Sequence, residues 1–208
     1  MSVEIFIHKG FKDILYDNSM VGILAAVFKN KPCEFDILFV ENKWKLCHDF
    51  KILTKYNTDL PELLMLMKKF KTSFQQNIII DIKWDYINNR NDDLSDAIQQ
   101  LKGILEEYKH IPFWIQASNP KILESLQHHQ FDSVWKLGLI IYNMGDFELY
   151  KKSIHYAMVS LPDFTLEEIQ HMNKECLLVG YTCHNTEELS KYKHLFKYIK
   201  GVVCDVSL

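Results

Sequence analysis

Short apolar or β-branched runs alternate with segments of helical period from one end of this chain to the other. The runs at residues 3–8, 33–40, 77–83, 112–117, 134–142, 155–160, 176–181 and 201–205 predict eight strands. Helices are predicted between them where a start signal precedes the helical period. Asn18 or Ser19 stands ahead of a run to Phe28, Pro61 opens 62–70, and Asp92 or Asp93 leads into 94–108. Asn119 followed by Pro120 pairs an N-cap with proline at the first helical position. Thr165 with Glu168, and Asn185 with Glu188, have the form of capping boxes.

Eight strands alternating with helices suit a parallel sheet, and that count favours closure into a (β/α)8 TIM barrel. No repeat, low-complexity tract or Pro/Gly-rich linker divides the sequence, so one domain is expected over residues 1–208. The chain is shorter than the ~250 residues usual for the fold, which predicts short loops and a missing or truncated last helix. Such a truncation would bare apolar barrel surface and predicts a homodimer. One irregularity interrupts the alternation. After the second strand, Glu41-Asn42-Lys43 and a further extended run at 44–48 predict a β-hairpin insertion that turns His48 back towards the rim of the sheet.

Composition narrows the function class. At 48% hydrophobic residues the chain can build a substantial core, and a net charge of -3 gives no general reason to bind nucleic acid. The basic stretches, Lys68-Lys69-Phe70-Lys71 and 191–200, read as solvated helix faces. Cys33, Cys47, Cys176, Cys183 and Cys204 form no CxxC pair and sit in apolar segments, where a thiol behaves as a small hydrophobe. A basic leader followed by an apolar stretch is absent, as is any N-x-Ser/Thr sequon, and no apolar run reaches the ~20 residues of a membrane helix. A cytoplasmic protein without stable membrane insertion is expected.

Charged residues gather where the first three strands should end: His8-Lys9-Gly10, Glu34-Phe35-Asp36, His48-Asp49 and Asp81-Ile82-Lys83. Residues two apart on a strand share a side, so Glu34 can project with Asp36, and Asp81 with Lys83. Each has an ordinary explanation taken singly, as a rim histidine, an exposed acidic face or a salt bridge inside the barrel. Together they suit metal-assisted phosphodiester chemistry. Three carboxylates on neighbouring strands fit one hard divalent cation, Mg²⁺ or Ca²⁺. His8 and His48 can serve as general acid and base, while Lys9 and Lys83 supply positive charge to phosphate oxygens.

The order of these residues resembles the glycerophosphodiester phosphodiesterase family, whose members are (β/α)8 barrels. His8-Lys9-Gly10 is similar to the family's His-Arg-Gly, and Glu34-Phe35-Asp36 with His48-Asp49 to its Glu-x-Asp followed by His-Asp. Asp81-Ile82-Lys83 resembles its Glu-x-Lys, Tyr181-Thr182-Cys183-His184-Asn185 its Trp-Thr-Val-Asn segment, and Gly201-Val202-Val203-Cys204-Asp205 its closing Asp-Gly-Ile-Ile-Thr-Asp. The resemblance implies that Glu34, Asp36 and Asp81 hold one divalent ion and that His8 and His48 are the acid and base. It places Lys9 and Lys83 on the phosphate and Tyr181 in the wall of the substrate pocket. The reaction it implies releases glycerol 3-phosphate and an alcohol from a small phosphodiester.

The departures have physical content. Lys9 keeps the charge of the usual arginine without its planar fork, and Asp81 is one methylene shorter than the usual glutamate. Tyr16-Asp17-Asn18-Ser19 stands for Pro-Glu-Asn-Thr, and Tyr181 for a tryptophan. They imply altered substrate preference or reduced activity. Two alternatives follow: a catalytically silent barrel that binds a phosphoester or a partner, and a phospholipase D-like enzyme acting on (lyso)phospholipids.

Overall fold

A computed structural model of the chain describes residues 3–11, 17–54, 57–70, 73–84 and 93–205. Tyr16, Lys71 and Asp92, together with residues 206–208 on which the expected loss of the last helix turns, lie outside the described residues. The elements run β1 (Glu4–His8), α1 (Met20–Phe28), β2 (Cys33–Val40), β3 (Lys43–Leu46), α2 (Leu60–Phe70), β4 (Ile78–Lys83), α3 (Asp93–Glu106) and β5 (Phe113–Ala117). They continue with α4 (Pro120–His128), β6 (Lys136–Ile141), α5 (Met144–Tyr150), β7 (Tyr156–Ser160), α6 (Leu166–Glu175), β8 (Leu177–Cys183), α7 (Thr186–Lys191) and β9 (Gly201–Cys204). Among the described residues no helix is long and apolar enough to cross a membrane.

The eight strands other than β3 pair in parallel, and β1 lies between β2 and β9, so the sheet closes into the expected TIM barrel. β2 overshoots the rim. Its first residues pair with β1 at Ile7↔Cys33 and His8↔Glu34, while its last four pair antiparallel with β3, from Ile37↔Leu46 to Val40↔Lys43. The hairpin therefore carries the chain back to the level of Asp36, whose carbonyl accepts from the Cys47 amide at 3.2 Å. Trp44 anchors the insertion by donating its indole N–H to the Ala97 carbonyl at 3.0 Å.

Caps act where the sequence signals them. Ser19, rather than Asn18, caps α1 by accepting from the Gly22 amide, and Asn119 caps α4 ahead of Pro120. Thr165 and Glu168 form a reciprocal capping box. At α7 the Asn185 side chain accepts from the Glu188 amide, but the Glu188 carboxylate accepts from the His184 amide, one residue before the cap. The structure adds α5, which has no counterpart in the expected pattern. Only Phe147 of that helix is buried and Leu149 is 70% exposed, so it carries too short an apolar stripe to show a helical period. β6 begins two residues later than expected because Phe131–Ser133 form a 3₁₀ turn whose Phe131 carbonyl accepts from the Val134 and Trp135 amides.

Alternation along the strands separates two cores. One face packs Ile7, Phe35, Ile37, Ile80, Ile115 and their neighbours under the helices. The other fills the barrel with Phe6, Ile79, Trp114, Ile140, Tyr156, Met158, Val179 and Val203. Gly138 is required by this filling, since a Cβ there would lie 2.3 Å from the Tyr156 ring. With the lower barrel packed by Trp114 and Tyr156, whose ring centroids are 5.0 Å apart, the charged side chains that line the barrel's cavity gather above this layer, where β1 and β4 end at His8 and Lys83.

Candidate functional site

At that end a cavity of about 220 Å³ is lined by His8, Lys9, Glu34, Asp36, His48, Asp81, Lys83 and Tyr181. Every residue singled out from the sequence thus meets in one place. Strand register explains how: β1 and β2 set His8 beside Glu34, and β2 and β4 set Asp36 beside Asp81. Lys83 stands two residues beyond Asp81 on the same face, and its ammonium contacts Asp81 at 2.7 Å and Asp36 at 3.3 Å.

The turn after β1 places Lys9. Lys9 and Gly10 both take left-handed backbone, with φ of 55° and 77°, and a Cβ on Gly10 would lie 2.7 Å from Gly22 and Ile23 backbone atoms. The chain thereby folds onto the first turn of α1, leaving the Lys9 amide 3.3 Å from the Glu34 carboxylate and its ammonium 3.9 Å from Asp36. His48, exposed on the return of the hairpin, comes to the same cavity from the side of β3.

Two residues that the sequence did not mark as part of the site complete it. Asn18, also left-handed at φ 57°, grips Asp36 twice: its amide donates to the carboxylate at 2.8 Å and its carbonyl accepts from the Asp36 amide at 2.8 Å. Asp205, just past β9, accepts from His8 Nδ1 at 2.5 Å. A carboxylate can only accept here, so Nδ1 carries the proton and Nε2 is the imidazole face turned towards Glu34, 3.9 Å away. The second contact depends on closure of the barrel, where β1 meets β9; an aspartate at the carboxyl end of the last strand is the sequence signal that could have found it.

The electrostatics are those of crowded, buried acids. Burial, with Asp36 and Asp81 beside it, pushes the Glu34 carboxyl well above the usual carboxylate range. For Asp36 burial acts in the same direction, but Lys83 and the Asn18 amide overcome it and hold the group below its ordinary value. Asp81 is raised, chiefly by burial and against the pull of Lys83. Burial would also discharge Lys83, yet the Asp81 and Asp36 carboxylates outweigh it and fix the ammonium. Both imidazoles are lowered: His8 by burial, against its bond to Asp205, and His48, an exposed residue whose ring is enclosed on its cavity side, by that partial desolvation against the charge of Asp36. Burial pushes the Tyr181 phenol up to about 12.

Glu34, Asp36 and Asp81 each offer an oxygen to one point, with these atoms within 4.8 Å of one another. Among the described residues Asp81 Oδ1 is buried and has no hydrogen-bond partner of good geometry, although the Gln116 amide helps to draw the Asp81 carboxyl down. A buried carboxylate oxygen left without a donor is costly, and a hard cation is the partner that suits three converging carboxylates. The donor set therefore fits a divalent ion.

A pH-dependent consequence follows from Glu34. Its folded-state value lies above its unfolded one, so the folded protein holds the extra proton, and the stability this group contributes is full below its unfolded value and is lost as pH rises through the folded one, opposite in sign to the contribution of the two lowered imidazoles. A cation replacing the proton cancels the loss. Added Mg²⁺ or Ca²⁺ is expected to raise the melting temperature more at pH 8 than at pH 5. Equal gains at both pH values would show that the ion does not displace a proton.

Neither a protein-family model nor a curated protein matches the sequence. Solved structures do resemble it. A phosphodiesterase of Oleispira antarctica in complex with the product sn-glycerol-3-phosphate superposes with a TM-score of 0.78 at 11% identity, over 98% of this chain and 93% of that one. A glycerophosphodiester phosphodiesterase of Parabacteroides distasonis gives 0.79 at 12% identity, over 98% and 93%. A tryptophan synthase structure from Pyrococcus furiosus gives 0.63 at 11% identity, over 98% and 86%. At such identities the likeness is one of fold, and the same barrel carries unrelated chemistries, so function has to be argued from the side chains.

Proposed function

We propose that this chain is a glycerophosphodiester phosphodiesterase-like enzyme that uses one divalent cation to hydrolyse glycerophosphodiesters to glycerol 3-phosphate and an alcohol. The observation that carries this reading is the meeting of two histidines, two lysines and three carboxylates in one cavity at the carboxyl end of a (β/α)8 barrel, the face where such folds place their chemistry. The fold-level likeness to the Oleispira phosphodiesterase that binds sn-glycerol-3-phosphate supports a small phosphorylated ligand.

Held by Glu34, Asp36 and Asp81, a divalent ion would neutralise a phosphate oxygen and orient the diester. Lys9 and Lys83 add fixed positive charge at the same wall, and Tyr181 closes the pocket beside them. A hydroxyl attacking phosphorus gives its proton to the unprotonated Nε2 of His8, and Asp205 stabilises the imidazolium that results. His48, on the facing hairpin, protonates the departing oxygen as its bond to phosphorus breaks. The attacking hydroxyl is that of water, or the substrate's own glycerol hydroxyl, which gains from proximity and would leave a cyclic glycerol phosphate that water then opens to glycerol 3-phosphate, the two imidazoles exchanging roles.

A second reading rests on Lys83. Its contacts with Asp81 and Asp36 already balance part of the acidic charge, which suits a site that binds a phosphoester without turning it over. Purified protein assayed with Mg²⁺ or Ca²⁺ against glycerophosphocholine, glycerophosphoethanolamine and a lysophospholipid separates the two. Release of glycerol 3-phosphate that a chelator abolishes is expected. Calorimetric binding of glycerol 3-phosphate without turnover of any substrate would establish the silent reading in its place.

A further inference from the structure

The geometry points to His184 as a positioning residue for His8, acting through the Asp205 carboxylate that the two imidazoles share. His8 Nδ1 lies 2.5 Å from Asp205 Oδ1, and His184 Nδ1 lies 2.5 Å from Asp205 Oδ2. Since the carboxylate accepts from both, each imidazole presents a protonated Nδ1 to it. One carboxylate thus sets the tautomer of two rings, and each ring fixes an oxygen that the other depends on.

The three side chains come from the two ends of the chain and are joined by the closing strands. Asp205 follows β9, its amide donating to the Cys183 carbonyl at 2.9 Å, which sets its backbone directly beside the end of β8. His184 is the next residue after Cys183. Its own amide is bound by the Glu188 carboxylate at 2.6 Å, and Glu188 is held in turn by the Asn185 cap. The His184 side chain is 66% exposed while Asp205 and His8 are each 16% exposed, so the outer ring stands at the surface and the inner one faces the cavity. An exposed imidazole whose backbone is this firmly placed contributes little to the core. What it does hold is the rotation of the Asp205 carboxylate, and through it the direction of His8 Nε2.

Loss of His184 removes one anchor from Asp205 and lets His8 sample the other tautomer, with its proton on Nε2. That tautomer cannot accept a proton at the face turned to the cavity. The expected kinetic cost is a fall in kcat of about tenfold, the scale of one modest hydrogen bond felt in the transition state, with KM unchanged because neither Lys9 nor Lys83 is disturbed. Asparagine at this position places an amide N–H where Nδ1 stands and restores the contact.

The kinetic arm rests on the phosphodiesterase reading; the spectroscopic arm does not. Long-range ¹H–¹⁵N correlation spectra of the imidazoles, recorded on the full chain above the imidazole titration range, report which nitrogen of His8 carries the proton. Wild type is expected to show His8 protonated at Nδ1, His184→Ala a mixture of tautomers, and His184→Asn the wild-type pattern. An unchanged His8 spectrum in His184→Ala overturns the proposal, whether or not the protein turns over a diester. If wild type shows no turnover while the tautomer shifts as described, the positioning role stands and the phosphodiesterase reading fails. If wild type turns over and His184→Ala keeps both its kcat and its His8 spectrum, the phosphodiesterase reading stands and this proposal fails.

Discussion

Alanine at His8 or at His48 is expected to lower turnover of glycerophosphocholine by about 10²- to 10⁴-fold, the usual range for losing a positioned general acid or base. The two residues reach the cavity by different routes, one from β1 inside the barrel and the other from the return of the β2–β3 hairpin, so neither can take over from the other. His8 is backed by Asp205 and lies 3.9 Å from Glu34, which suits a group that must take on a charge and give it up again. His48 is exposed, so its removal leaves an opening that free imidazole can enter. Partial rescue of His48→Ala by added imidazole is therefore expected, while the fold is retained in both variants by circular dichroism. Full activity in either variant at saturating metal would remove that residue from the acid–base pair.

What could be read in the sequence, and what could not, divides along the barrel's closure. The strands, the hairpin and the order of charged residues on β1, β2 and β4 are local in sequence: Glu34 and Asp36 share a face because they are two apart, and their partners on β4 follow in register. The hairpin was legible because a polar turn split two extended runs. Asp205 and His184 were not legible as site residues, since β1 and β9 meet only when the sheet closes, bringing His8 and Asp205 together across almost the whole chain. Asn18 and Ser19 are both cap candidates by residue type; Ser19 takes the cap and Asn18 turns inward to Asp36. The short α5 escaped because its single buried Phe147 gives no period to detect.

Glutamine at Glu34 is expected to make the protein more stable in chelator and to disable it. The site concentrates three buried carboxylates around Lys83 and Lys9, and the excess negative charge falls on Glu34, which burial, Asp36 and Asp81 all disfavour as an anion. Glutamine fixes the neutral form. It keeps a carbonyl oxygen for the Lys9 amide, 3.3 Å away in wild type, and it leaves the Lys83 contacts with Asp81 and Asp36 in place. Asparagine at Asp81 would be a poorer test, because it removes the charge 2.7 Å from Lys83 and leaves that half-buried ammonium underbalanced. In chelator at pH 8 the Glu34→Gln variant is expected to melt above wild type, by about 2–4 °C for each kcal/mol gained in a domain of this size. The difference should shrink as pH falls, because acid favours the neutral form of wild-type Glu34 that burial and its acidic neighbours already prefer. With Mg²⁺ or Ca²⁺ the order reverses: wild type gains stability, the variant gains little, and its turnover is lower by about 10²- to 10³-fold, the scale of losing one element of charge stabilisation. A site kept at the expense of stability is what selection for ion binding produces. A variant that melts no higher than wild type in chelator at pH 8 would show that Glu34 is not strained, and one that still gains stability from the ion would take Glu34 out of the ligand set.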